Sequence, residues 1–335
     1  MLSTAREIQS KQRFTDIDVM KGILVIGMLY SHINVFYGMP SVGTTILKTY
    51  VNAVSFSGFL FCFGMTFSHA YLDSQKANIK LRILIGAVKI YGAFVLSSIT
   101  YSMFRDKVTS WDRFFEILSL EYIPLYCEFL VTFFALYIST AVFFPIIRLS
   151  TASFMRLSIA IIVCMIPVFF VSPSTHTFVG IVWGIHGKSL FPLLPYTPFF
   201  LIGIAVTKHF PLKSRYIWTL CCVATSVSIA VGVITKSIPA RFPPSFLWLV
   251  GPALPLLCTF YISRWIALHR TFVSSWLAQI GTNVLFYLVT SNIGLFAFTR
   301  MKYGFSLGGT LIVTITFLVI IGFLGWLVRP SRPYA

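Results

Sequence analysis

The chain has 335 residues, of which 57% are apolar, 17% aromatic and only 10% charged. A soluble domain carries about a quarter charged residues, so the composition excludes a soluble enzyme and predicts an all-α, polytopic integral membrane protein. The formal charge of +17 does not point to nucleic acid: Lys and Arg are spread between apolar runs, with no long basic block and no RNA-binding motif, and membrane topology accounts for them.

Met1 to Lys11 is polar and lacks an apolar core followed by a small-residue cleavage site, so no cleavable signal peptide is expected. Apolar runs near span length fall at about 19–37, 51–71, 83–103, 123–147, 154–172, 191–207, 216–235, 246–264, 273–298 and 306–328. They predict about ten transmembrane helices around a central cavity, as one membrane-embedded domain over 1–335. The run at 191–207 is short and holds Pro192, Pro195 and Pro198. It is the one expected to be broken, as helices are where backbone lines a cavity. With the N-terminus cytoplasmic, the inner connections hold sixteen Lys and Arg and the outer connections nine, so both termini are expected inside. The cysteines at 62, 127, 164, 221, 222 and 258 all lie in apolar runs and read as buried small hydrophobes. No metal-ligand spacing is present, and no metal is expected. All nine Asp and Glu lie at or before Glu128, so an acid partnering a catalytic base comes from the first four spans.

Between Arg13 and Asn34 a charged segment turns into an apolar run. Asp18 precedes Lys21 by three residues and Lys21 precedes His32 by eleven, close to three helical turns. One helix face therefore carries an acid and a base near one membrane surface and an imidazole roughly 15–20 Å further along. Ionisable groups inside a bilayer are costly, and a functional role is the default reading. Imidazole suits proton abstraction near neutral pH; a neutral histidine bonded to a neighbouring helix is the alternative. Glu128, on a span running the other way, is expected at a similar depth. A buried carboxylate needs a partner, and accepting from the second imidazole nitrogen would fix the tautomer of His32. A structural pairing of Glu128 with Lys89 or a tyrosine is the alternative.

Near the inner face, Arg13 and Lys21 flank the first span, Lys80 and Arg82 precede the third, and Lys89 lies about two turns inside it. Such cations suit the phosphates of an acyl-CoA donor. Ordinary retention and snorkelling explain Lys80 and Arg82 taken singly. His69, His176, His186, His209 and His269 lie at span ends or in loops and rank below His32.

With Asp18-Val19-Met20-Lys21-Gly22 leading to His32, the first span resembles two related groups. These are the membrane acyltransferase-3 family and the heparan-α-glucosaminide N-acetyltransferase group. Their opening helix reads Asp, two apolar residues, a basic residue, Gly or Ala, then an apolar run to His. Lys21 stands where Arg is commoner. Phe56-Ser57-Gly58-Phe59-Leu60-Phe61 with Phe63-Gly64, Leu194-Pro195-Tyr196-Thr197-Pro198-Phe199-Phe200-Leu201-Ile202-Gly203, and Leu277-Ala278-Gln279-Ile280-Gly281-Thr282-Asn283 through Leu288 resemble three further helices of the plan. Thr290 departs from it, standing where His is often found.

The resemblance implies transfer of an acyl group, acetyl foremost, from cytoplasmic acyl-CoA to a hydroxyl of an extracytoplasmic or lipid-linked sugar. It implies a carbohydrate O-acetyltransferase of a bacterial plasma membrane. Acetyl-CoA would be the donor co-substrate, a cell-envelope glycan the acceptor, and membrane lipid the surroundings. His32 would be the base or transient acyl carrier and Glu128 its support. Lys21 and Arg13 would meet the donor with Lys80, Arg82 and Lys89, and Asp18 would hold Lys21. A transporter or flippase for an anionic or lipid-linked molecule would use the same intramembrane charges as a relay. The two halves show no clear pair of matching broken helices to support it. A silent membrane protein that only binds a glycan or a protein is the third reading.

Overall fold

A computed structural model describes residues 15–72, 78–170, 176–184, 190–208, 214–298 and 304–328, together with the backbone of the first helix from Leu2. In a bilayer the backbone must satisfy its own N–H and C=O groups, and an apolar chain does so by coiling. Among the described residues there are fifteen α-helices and no strand: α1 (Leu2–Tyr37), α2 (Val42–Phe67), α3 (Ile79–Tyr101), α4 (Trp111–Leu118), α5 (Glu128–Val142), α6 (Phe144–Ser150), α7 (Phe154–Met165), α8 (Thr177–Val182), α9 (Leu193–Lys208), α10 (Arg215–Thr235), α11 (Phe246–Val250), α12 (Ala253–His269), α13 (Phe272–Thr282), α14 (Val284–Ala297) and α15 (Leu307–Val328).

All ten apolar runs fall on helices, but they are not ten equal spans. Six stretches are long and apolar enough to cross a bilayer alone: Thr15–Tyr37, Val42–Leu72, Ile79–Asp106, Arg215–Thr235, Phe246–His269 and Leu307–Leu327. Two more are bent pairs, α5 with α6 at 89° and α13 with α14 at 80°. Phe154–Phe169 and Leu193–Lys208 are shorter apolar helices.

The expected break at 191–207 is not there. The segment is one helix, α9, with only Pro198 in its interior. Pro192 precedes it and Pro195 sits in its first turn, where a missing N–H leaves no bond unmade. The breaks fall elsewhere. Pro145 follows the kink between α5 and α6. Between α13 and α14, Asn283 donates through Nδ2 to the Gln279 carbonyl at 2.8 Å. That side-chain bond competes with the helical ladder.

α1 is the hub, packing against α2, α12, α13, α14 and α15. α2 packs on α9, and α3 on α5. Burial follows: 67% of the apolar window of α1 and 78% of that of α2 are buried, against 6% for α10. Leu220, Val223, Val233 and Ile234 of α10 are exposed, which suits a lipid-facing helix.

Glycine makes two of these crossings close. A Cβ built on Gly281 would lie 1.7 Å from the Asp18 carbonyl oxygen, and one on Gly22 would lie 2.2 Å from that of Leu277. The α2–α9 crossing is alike: a Cβ on Gly64 would lie 2.1 Å from the Phe200 carbonyl oxygen, and one on Gly203 would lie 2.2 Å from that of Phe61. Small residues let membrane helices approach this closely, where packing rather than hydrophobic transfer holds them. The glycines in all four family-like stretches are therefore packing positions.

Candidate active site

The site begins on α1. Lys21 Nζ lies 2.6 Å from Asp18 Oδ1, with both side chains about one-fifth exposed. This pair sits at the α1–α13 crossing, on the turn whose carbonyl touches Gly281. Three turns on, roughly 16 Å along the axis, His32 reaches a cavity of about 190 Å³.

Five segments build that cavity, Phe191 ahead of α9 among them. His32 comes from α1, Asn52 and Phe56 from α2, Tyr126 and Glu128 from the entry to α5, and Arg241 from the connection between α10 and α11. The imidazole therefore faces a pocket between the helices. Tyr126 packs edge-on to it with ring centroids 4.9 Å apart.

The entry to α5 is an unusual piece of backbone. Tyr126 has φ of 70°, in the left-handed region that bulky side chains avoid at a cost of about 1–3 kcal/mol. That turn puts the phenol over His32 and starts α5 at Glu128. The span thus begins at Glu128, five residues later than the apolar run suggested, because Tyr122 to Cys127 form the connecting turns. Glu128 is buried, with 7% of its surface exposed. Its position explains how a carboxylate is tolerated there. The backbone N–H groups of Tyr126, Cys127 and Glu128 lie against it, and a helix N-terminus favours negative charge.

Three polar atoms at this one cavity are buried without a hydrogen-bond partner among the described residues: Nδ1 of His32, Oε2 of Glu128 and Nε of Arg241. Buried polar atoms are normally bonded, and left unbonded they cost about 1–3 kcal/mol each. A cluster of them in one space marks a place for a polar ligand. Beside them, Ser31 donates to Oδ1 of Asn52 at 2.8 Å, which fixes the orientation of the Asn52 amide.

His32 and Glu128, expected at similar depth, are thus brought to one cavity, and Asp18 and Lys21 are paired as expected. The other expected donor residues are not gathered with them. Lys80, Arg82 and Lys89 are exposed on α3, a helix that packs on α5 and α14. Among the described residues Lys89 makes no ion pair with Glu128, and its side chain is exposed. Arg82 lies 5.8 Å from the centroid of the Tyr71 ring. Lys80 and Arg82 do start α3 at the Lys21 end of the bundle, since α1 and α2 run there and back. The Arg13 side chain falls outside the described residues, as do His186 and His209. Nδ1 of His269 lies 2.7 Å from the Trp265 carbonyl, a local contact at the end of α12.

Arg241 is the residue that sequence reasoning missed. It stood only as one of the outer cations, within Pro239-Ala240-Arg241-Phe242-Pro243-Pro244. The usable signal was a basic residue between aromatic and proline residues on the side where basic residues are scarce. Asn52 carried no signal of its own.

A family model described as heparan-alpha-glucosaminide N-acetyltransferase, catalytic, matches residues 13–236. The match runs from α1 through α10. It takes in Asp18, Lys21, His32, Asn52 and Glu128, while Arg241 lies just beyond its end. No curated protein matches the chain. Of the two groups that the first helix resembles, the match is to the second. A membrane-spanning helical bundle, an opening helix that delivers an imidazole to an internal polar cavity, and a match over most of the chain together place this protein in the heparan-alpha-glucosaminide N-acetyltransferase catalytic-domain family.

Proposed function

We propose that the protein transfers an acetyl group from cytoplasmic acetyl-CoA to a sugar on the other side of the membrane, with His32 as the base. The observation that carries this is the cavity where His32 and Glu128 each present an unbonded polar atom. The family's name speaks of an acetyltransferase acting on a glucosaminide, and an acetyl-CoA donor fits it.

In this reading the acceptor hydroxyl gives its proton to His32 as its oxygen attacks the thioester carbonyl. The C–O bond forms, the C–S bond breaks, and the imidazolium returns the proton to the departing CoA sulfur. Glu128 supports the imidazolium, as the carboxylate does in the Ser-His-Asp arrangement. The Asn52 amide, held by Ser31, donates to the carbonyl oxygen as negative charge builds there. Lys21, steadied by Asp18, meets the donor phosphates at the opposite end of α1. Arg13, Lys80, Arg82 and Lys89 add positive charge on that side, which is the cytoplasmic one in this topology. An acetyl group held covalently on His32 between two half-reactions is the variant of the same scheme.

One observation favours a second acceptor chemistry. The family's name speaks of N-acetylation, so the amine of an amino sugar takes the place of the hydroxyl in that version, with the same base. Mass spectrometry of surface glycan from cells with and without the chain tests the proposal. Acetyl groups are expected only with the chain present, and their position reports oxygen or nitrogen. Glycan acetylation retained in His32→Ala cells would remove His32 from the mechanism.

A further inference from the structure

Arg241 has no task in that chemistry, yet it is built into the cavity. Its guanidinium carbon lies 5.0 Å from the centroid of the Phe191 ring and 4.8 Å from that of Phe242. The two rings stand at 77° to each other, so they hold the guanidinium by cation–π attraction without enclosing it, and its N–H donors remain for a polar partner. Its Nε is buried without a hydrogen-bond partner among the described residues. A second cation stands nearby. The Arg105 guanidinium lies 4.5 Å from the centroid of Phe36, and Phe36 packs on Tyr126 at 4.9 Å. Arg241 and Glu128 are the charged side chains that line the cavity itself, while Arg105 lies beyond Tyr126 and next to Asp106.

We infer that Arg241 binds an oxyanion carried by the acceptor, so that the enzyme selects sugars with a carboxylate, sulfate or phosphate close to the acetylated group. The inference rests on the reading of this cavity as the transfer site. Two sources share the chemistry, an acidic group on a soluble sugar or the phosphate of a lipid-linked sugar. The second has a place for its chain. An apolar groove of about 570 Å³ follows a different face of α2, and Lys236, Ile238 and Pro239 of the Arg241 connection line it.

The test reads binding first, without acetyl-CoA, by native mass spectrometry of the purified full chain. The probes are glucosamine, glucosamine 6-phosphate and polyprenyl-phosphate-linked glucosamine. A charged probe is expected to bind about 10- to 100-fold more tightly than the neutral one, the size of one charge-assisted hydrogen bond. Arg241→Gln is expected to remove that preference. Arg241→Lys should keep part of it, having the charge without the fork. A preference shared by both charged probes supports the inference for either source; one confined to glucosamine 6-phosphate assigns the oxyanion to the sugar itself, and one confined to the lipid-linked probe assigns it to the lipid phosphate. Equal binding of neutral and charged probes by the unaltered chain overturns the inference, and so does an undiminished preference in Arg241→Gln. If Arg241→Gln does not fold, Arg241→Lys and the unaltered chain decide. In the transfer assay, Arg241→Gln should raise KM for the charged acceptor. A rise confined to acetyl-CoA would assign Arg241 to the donor and overturn the inference. The binding arm needs no donor, so a failure of acetyl transfer alone counts against the proposed function and leaves the binding result standing.

Discussion

At the Lys21 end of α1 the backbone touches its neighbours directly. Gly22 and Gly281 bring α1 onto α13 with no room for a Cβ, and the ionisable groups there, Asp18 and Lys21, bond each other. At the His32 end the helices part. The space between them is lined by an imidazole, a carboxylate and a guanidinium, each with an atom left unbonded among the described residues. One helix thus joins a closed packing joint to an open polar chamber. The family-like stretches divide along the same line, their glycines serving the joint and His32 serving the chamber. Substitutions at the joint should change stability, and substitutions in the chamber should change turnover.

The largest expected effect is in the chamber. His32→Ala should lower acetyl transfer by about 10²–10⁴-fold, the usual contribution of a positioned base. Its thermal unfolding in detergent should stay within a few degrees of the unaltered chain. A large loss of stability in that variant would blur the division. Glu128→Gln should lower turnover by about 10- to 100-fold, the size of one charge-assisted bond. Steady-state kinetics should place the loss in kcat rather than in KM for acetyl-CoA.

At the joint the signature reverses. Gly281→Ala forces a methyl onto the Asp18 carbonyl and should destabilise the fold by about 1–3 kcal/mol, as overpacking does. The protein that remains folded should retain transfer per molecule within a few fold, as titration of active sites would report. Lys21→Met tests where the two regions communicate. It should raise KM for acetyl-CoA roughly fivefold, the worth of a contact of about 1 kcal/mol, with little change in KM for the acceptor. The smallest effect belongs to Lys89→Ala, on the exposed face of α3. Its stability should move by no more than about 0.5 kcal/mol, and a transfer rate changed more than a few fold would show that α3 touches the donor.

Much of this was legible in the sequence, for identifiable reasons. His32 stood out because an ionisable group in an apolar run has few structural excuses. Glu128 stood out as the last acid in the chain, and the structure places it at the start of α5, on the cavity that His32 lines. The Asp18–Lys21 pair followed from helical spacing. What stayed hidden depended on three-dimensional convergence. Arg241 sits in a proline-rich connection whose cations served only to set topology, and nothing local marks a loop that folds back over α5. The break after Thr282 was hidden because proline outweighed asparagine as a breaking signal. It is the Asn283 side chain, bonded to the carbonyl of Gln279, that competes with the helix there. The glycines were visible as motif letters, but their role as contact points emerged only from the crossings.

The central claim is that the chamber at the His32 end is where the acyl group changes hands. Its most direct test is CoA release from acetyl-CoA by purified protein in proteoliposomes, measured with an amino-sugar acceptor for the unaltered chain, His32→Ala and Gly281→Ala. Acceptor-dependent CoA release that vanishes in His32→Ala and persists, per folded molecule, in Gly281→Ala is the predicted result. Undiminished release in His32→Ala would contradict the account.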